Sequence, residues 1–132
     1  QSIVVAIDVK KSLFGKYEVY TKNGTCKTGT CPIEYARKAQ QYGAGEIILT
    51  SIDREGSAQG LDLDLIKKVT SVVEIPVIVQ GGVGSLEHIK DAVKMAGASA
   101  VAAGTYFTFH GKYKAVLLTY PAFHELEYLF LD

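Results

Sequence analysis

Short runs of apolar residues recur along the chain, and patterns of helical period separate them. Each run is continuous rather than alternating, and most are rich in β-branched residues, which is typical of strands buried on both faces of a parallel sheet. The runs lie at residues 3–7, 46–52, 75–80 and 99–103. The pattern therefore predicts four parallel strands, each leading into an aspartate or a glycine.

Helical patterns follow these runs, and their ends carry specific signals. Pro32 near the first turn and Gly43 beyond the last turn predict one helix, because proline and glycine favour these positions. Residues 61–72 have the apolar spacing of a second helix, and Ser85 is a favoured cap for a third. A final helix is predicted at about 121–129. Each predicted strand is therefore followed by a helical or mixed segment.

This alternation specifies an α/β architecture with right-handed crossovers between parallel strands. An open doubly wound sheet and part of a (β/α)8 barrel both fit it, but polar and glycine residues at every strand's carboxyl end favour the barrel. A full barrel needs eight strands and about 250 residues, whereas this chain has 132 residues. We predict one (βα)4 half of a TIM barrel over residues 1–132. Asn23-Gly24 also predicts a small hairpin insertion at about 16–28.

Composition excludes several classes of function. Fourteen basic residues balance fourteen acidic ones at a pI near 7.0, which argues against nucleic acid as a partner. No apolar run approaches the length of about eighteen residues needed to span a membrane, and no secretory signal is visible. We expect a cytoplasmic protein with two reduced cysteines, no metal site and no cofactor. The chain begins at Gln1, so we expect a processed product or an excised piece.

Two carboxylate-bearing segments follow predicted strands. Asp8 either accepts hydrogen bonds from loop amides or is a carboxyl group at a barrel mouth that serves as a general acid. Residues 53–56 (Asp-Arg-Glu-Gly) either form a self-neutralising turn or contact a ligand. From the residues alone we favour the self-neutralising turn.

Glycine-rich ends of the third and fourth strands give a sharper signal. Residues 81–84 (Gly-Gly-Val-Gly) precede the helix that Ser85 caps, and Gly104-Thr105 follows the next strand. Glycine amides beside the positive end of a helix bind anions, and in barrels that anion is frequently phosphate. These adjacent strand ends therefore predict a phosphate site.

Three segments together resemble the cyclase subunit of imidazole glycerol phosphate synthase. They are SIVVAIDVK at 2–10, GAGEIILTSIDREG at 43–56 and GGVGSLEH at 81–88. The resemblance covers nearly the whole chain and matches strands five to eight, which is the C-terminal half of the family's barrel. This agrees with the half-barrel predicted from the chain length.

The resemblance implies a lyase of histidine biosynthesis. Ammonia from a glutaminase partner would attack a phosphoribulosyl-formimino aminoimidazole carboxamide ribotide, giving imidazole glycerol phosphate and an aminoimidazole carboxamide ribotide. Asp8 matches the family's general acid, whereas the general base belongs to the first strand, which this chain lacks. Glu46 matches a charged residue at the ammonia entrance. The implied substrate and phosphate contacts are Thr50, Asp53, Glu55, Gly56, Gln80, Gly81, Gly82, Gly104 and Thr105.

Residues 109–121 depart from histidine-pathway members and are more similar to cyclase paralogues associated with surface-polysaccharide genes. The alternatives are therefore an ammonia-channelling module that partners an amidotransferase in acetamidino-sugar synthesis, or an excised half-barrel without activity. We expect the isolated chain to be inactive. The expected partners are the missing N-terminal half-barrel or a second copy of the chain, which as a homodimer would cover the open face and the edge strands.

Overall fold

A six-stranded sheet organises the chain in the computed structural model, which describes residues 3–21 and 24–103 and the backbone of 109–110 and 115–116. The strand order is β3-β2-β1-β4-β5-β6. Strands β1 (Val4–Lys11), β4 (Glu46–Ser51), β5 (Val77–Gln80) and β6 (Ala100–Ala102) run parallel. These are the four strands that the apolar runs predict.

Three helices connect the parallel strands: α1 (Pro32–Gln41), α2 (Leu63–Thr70) and α3 (Leu86–Lys94). Helix α2 starts two residues after the start predicted at residue 61, because the Asp62 side chain accepts a hydrogen bond from the Leu65 amide and caps the helix. Ser85 caps α3 as predicted. The helix predicted at 121–129 lies outside the described residues.

Alternate residues of the parallel strands build the core against the helices. Ile7, Ile47, Val77 and their neighbours two residues along each strand are fully buried, and they pack with apolar residues of all three helices. Burying each such side chain contributes about 1.5–3 kcal/mol. The residues between them, such as Ala6 and Ile48, face the other way and stay partly or fully exposed. One face of the sheet is therefore covered and the other is open.

A hairpin extends the sheet beyond β1. Strands β2 (Tyr17–Thr21) and β3 (Cys26–Lys27) pair antiparallel, and β2 pairs with residues 8–11 of β1. This pairing lengthens β1 to Lys11, four residues past the predicted run. Within the described residues, the outer edge of β1 at 4–7 has no strand partner.

The remaining described residues form a small separate ladder, in which β7 (Phe109–His110) pairs antiparallel with β8 (Ala115–Val116). None of the helices in the described part of the chain has the length and the apolar stretch that crossing a bilayer requires.

Candidate functional site

Asp8, Thr50 and Gln80 lie side by side across three neighbouring strands. The register pairs Asp8 with Thr50 and Thr50 with Gln80, near the carboxyl end of each strand. Because residues paired in this way share a face and their neighbours Ile7 and Leu49 face the helices, the three side chains are on the open face. The structure thus brings together three residues that the sequence singles out separately.

The contacts within this layer leave donors and acceptors available. Gln80 Nε2 donates a hydrogen bond to Thr50 Oγ1 at 2.7 Å. The Thr50 hydroxyl acts there as an acceptor, so its own proton can be donated to another group. Asp8 is partly exposed, and its carboxylate makes no hydrogen bond or ion pair with another residue in the described ranges.

The turn that follows β4 has a different arrangement from the one favoured by the residues alone. Arg54 Nη1 donates to the carbonyl oxygens of Gly60 and Leu61 at 3.1 and 3.3 Å, and it forms no ion pair with Asp53 or Glu55. The interpretation of residues 53–56 as a self-neutralising turn is therefore wrong. The guanidinium is planar with several donors, which suits it to bridge two carbonyls of one loop.

The two acids of this turn have separate environments. Asp53 Oδ2 accepts a hydrogen bond from the Lys11 amide at 2.7 Å, which ties the turn to the end of β1. Glu55 is exposed, and no described residue bonds to its carboxylate. Gly56 follows with a φ of 77°, a conformation that glycine adopts without strain.

The glycine loop after β5, residues 81–84, is pressed against the loop after β4. Gly82 has a φ of 114°, and a Cβ atom there would overlap the Gly60 carbonyl oxygen. A Cβ on Gly84 would overlap the Ala58 carbonyl oxygen in the same way. The Gly60 amide donates to the Gly82 carbonyl oxygen at 2.7 Å. Glycine is therefore required at 82 and 84 by close backbone approach.

Several amide groups in these loops have no partner among the described residues, including those of Gly56 and Gly82 and of the buried Gly81 and Val83. Gly82 is buried, yet its N–H makes no hydrogen bond with any residue in 3–21 or 24–103, and the same holds for the N–H of exposed Gly56. Buried N–H groups are nearly always hydrogen-bonded to protein, water or ligand. These amides are therefore suited to an anion. Gly104 and Thr105, the other predicted phosphate contacts, lie outside the described residues.

Sequence reasoning missed the roles of Arg54 and His88. His88 lies in the first turn of α3, and its Nδ1 accepts a hydrogen bond from the Gly84 amide at 2.9 Å. Its backbone amide donates to the Ser85 hydroxyl. The only sequence signal was the position of His88 in the first turn after a capping serine.

Glu46 lies at the opposite end of β4 from Thr50. The two share the open face because they are four residues apart on one strand, and Glu46 is partly exposed. Within the described part of the chain, no three histidine, cysteine, aspartate or glutamate residues come close enough to hold a metal ion.

Tyr17 joins the hairpin to α2 away from this layer. Its hydroxyl donates to Asp62 Oδ1 at 3.0 Å and to Asp64 Oδ2 at 3.2 Å. Burial raises the pKa of Tyr17 above its ordinary value, and the two aspartates raise it further. The hydrogen bond from Lys68 is the main reason that the pKa of the exposed Asp64 is lowered.

Residues 1–114 match the model of a family described as "Histidine biosynthesis protein". The chain belongs to this histidine biosynthesis family. It is a half of the family's TIM barrel, and the parallel strands with helices on one face confirm the predicted fold class.

Curated relatives in the histidine biosynthesis family are provisionally named HisF-type subunits of imidazole glycerol phosphate synthase. One from Leptospira interrogans is 47% identical over 131 residues, which are 98% of this chain and 52% of the relative. A second, hisF2 of Pseudomonas aeruginosa, is 42% identical over 96% of this chain and 51% of its own length. A third, hisF3 of Vibrio vulnificus, is 46% identical over 92% of this chain and 47% of its own length. The chain spans about half the length of these relatives.

Proposed function

We propose that the 132 residues form one half-barrel domain of an imidazole glycerol phosphate synthase cyclase. Joined to its missing half, the domain would use ammonia to convert the phosphoribulosyl-formimino ribotide into imidazole glycerol phosphate and the aminoimidazole ribotide. The observation that carries the proposal is the layer of Asp8, Thr50 and Gln80 on the open face of the sheet. It lies at the carboxyl ends of parallel strands, where TIM-barrel enzymes bind their substrates.

Asp8 is the proposed general acid. Its carboxylate is partly exposed and has no partner among the described residues, so it can exchange a proton with a bound substrate. Thr50 is oriented by Gln80 Nε2 and would donate its hydroxyl proton to a substrate oxygen. The general base of the reaction belongs to the missing half, so the chain alone should be inactive.

The amides of Gly56 and Gly82, which have no partner in the described part of the chain, would bind one phosphate of the substrate, with Gly81, Gly104 and Thr105 completing the site. Glu55 repels phosphate and is better suited to accept a hydrogen bond from a sugar hydroxyl. Asp53 supports this contact indirectly, because its Oδ2 binds the Lys11 amide and holds the turn in place.

Ammonia would enter from the amino ends of the strands, where Glu46 lies, and a glutaminase would dock on that side. The alternative is an ammonia-channelling role with a sugar amidotransferase. It depends on the departure of residues 109–121, most of which lie outside the described residues. A cytoplasmic location stays a prediction from the sequence.

In the decisive experiment, the N-terminal half of the Leptospira interrogans relative is fused to this chain. The joined protein is then assayed with the ribotide and ammonium salts. We expect turnover from the joined protein and none from the chain alone. Asp8→Asn should lower kcat by about 10²–10⁴-fold, the range for losing a general acid. Glu34→Gln, exposed in the first turn of α1, is the matched control and should keep full activity.

Two results would contradict the proposal. One is full activity of Asp8→Asn in the joined protein. The other is a joined, folded protein without ribotide turnover that supports glutamine-dependent activity only with a sugar amidotransferase. The second result would establish the channelling role instead.

A further inference from the structure

Two side chains outside the proposed substrate contacts hold the glycine loops in register. Arg54 belongs to the turn after β4 and His88 to the first turn of α3. Both line a cavity of about 210 Å³ together with Gln59, Gly60, Leu61, Leu63 and Asp91. Neither residue is among those that the family resemblance assigns to the substrate.

Arg54 holds the loop after β4 and, through Gly60 of that loop, also holds the loop after β5. Its Nη1 donates to the Gly60 carbonyl oxygen at 3.1 Å, and the Gly60 amide donates to the Gly82 carbonyl oxygen at 2.7 Å. The guanidinium therefore holds the carbonyl group of Gly60, and the amide group of Gly60 in turn holds the carbonyl group of Gly82. The N–H of Gly82, which bonds to no described residue, belongs to the same residue as that carbonyl group.

His88 contacts both loops. Its Nδ1 accepts from the Gly84 amide at 2.9 Å, so the proton of the neutral ring is on Nε2. The Nε2 edge lies against Gly60, 3.6 Å from the position that a Cβ on Gly60 would occupy. The ring thus lies between the two loops. Because the Gly84 N–H donates to the ring, this N–H is not available to bind an anion.

We propose that Arg54 and His88 are positioning residues for phosphate binding, because they fix where the Gly56 and Gly82 amides lie without touching phosphate themselves. The proposal rests on the proposed phosphate role of these amides. It predicts that losing either side chain weakens phosphate binding more than it weakens the fold.

The test is a titration of the isolated chain with inorganic phosphate, followed by the NMR shifts of the glycine amides. We expect wild type to show shifts at Gly56 and Gly82. His88→Leu removes the acceptor for Gly84 and should weaken phosphate binding about tenfold. His88→Asn retains an acceptor at the position of Nδ1 and should recover most of the affinity. If His88→Leu does not fold, His88→Gln replaces it. The side-chain oxygen of glutamine lies one bond further from the backbone than Nδ1 of histidine, so it cannot accept from the Gly84 amide in the same position.

Arg54→Gln should weaken phosphate binding by a similar factor. Arg37→Gln is its matched control, because Arg37 is exposed on α1 and, among the described residues, bonds to Glu34 alone. Ala36→Gly controls for stability, since Ala36 is fully buried in α1 and its loss lowers the melting temperature through the core. At an equal loss of melting temperature, Ala36→Gly should keep wild-type affinity.

Each outcome is decisive. Wild-type binding with unchanged affinity in His88→Leu and Arg54→Gln would overturn the positioning role and leave the proposed phosphate site intact. Equal weakening in Ala36→Gly would reduce both residues to a purely structural role. Absence of phosphate shifts in wild type would overturn the phosphate site and, with it, the positioning role.

Discussion

Ala58 has a positive φ of 58°, which the other non-glycine residues of the described ranges avoid. An alanine in this conformation is strained by about 1–2 kcal/mol, because its Cβ approaches the following carbonyl oxygen. The residue lies in the loop after β4, and its carbonyl oxygen occupies the space left by the missing side chain of Gly84. Strain of this kind persists where neighbouring contacts impose it, and it occurs preferentially at functional sites.

Ala58→Gly should therefore raise the free energy of unfolding by about 0.5–1 kcal/mol, since the strain relieved exceeds the added entropy of the unfolded chain. Urea unfolding measures the change. Ala39→Gly, within α1, is the control and should lower stability by about 1 kcal/mol. A loss of stability in Ala58→Gly would show that the alanine methyl makes contacts worth more than the strain.

Among the elements, the connection between the hairpin and α2 has the clearest dependence on pH. Tyr17 of β2 bonds to Asp62, the cap of α2, and to Asp64 in its first turn. The raised pKa of Tyr17 means that the folded state holds this proton more tightly than the unfolded state. The hydrogen bonds of the Tyr17 hydroxyl therefore contribute fully to stability below the ordinary tyrosine pKa of 10.0. This contribution is lost as the pH rises above that value.

Tyr17→Phe should lower the free energy of unfolding by about 1 kcal/mol at pH 8, the usual contribution of such a hydrogen bond. The difference from wild type should shrink as the pH rises above 10, because wild type then loses the contribution that the variant lacks. Urea unfolding at several pH values measures both. Tyr42→Phe, with its side chain largely exposed, should match wild type at every pH. A difference that stays constant above pH 10 would contradict the raised pKa.

The sequence predicts the elements better than it predicts their ends and their contacts. Continuous apolar runs identify β1, β4, β5 and β6, because burial on both faces leaves no polar position inside them. The extension of β1 to Lys11 depends on pairing with β2, a partner that local pattern does not specify. The roles of Arg54 and His88 depend on carbonyl and amide groups of other loops, so no residue type near them in sequence reveals these contacts.

At the scale of the molecule, the sheet has one uncovered face. Val4 is about half exposed, Ala6 is exposed, and the edge of β1 at residues 4–7 has no strand partner among the described residues. Parallel sheets occur almost only with both faces covered. The two remedies are the missing half-barrel, which the relatives' length suggests, and a second copy of the chain.

The 132-residue chain alone should therefore form dimers or larger assemblies, which light scattering across a dilution series would detect. Ala6→Glu, on the open face, should shift the equilibrium towards monomer by burying a charge at the interface. Ser71→Glu, exposed beyond the end of α2, should leave it unchanged. A monomer that unfolds cooperatively at micromolar concentration would contradict this prediction.

The missing side chains of Gly82 and Gly84 also govern how this barrel can be taken apart and recombined. Carbonyl groups from the loop after β4 fill the space that those side chains would occupy. The second βα unit (β4 and α2) and the third (β5 and α3) are therefore complementary in shape at these loops. A chimera with its crossover between residues 61 and 77 would combine loops that were never matched. Crossovers before residue 46 or after residue 94 keep the pair together, with His88 between the two loops. The modular unit of this half-barrel is therefore two βα repeats rather than one.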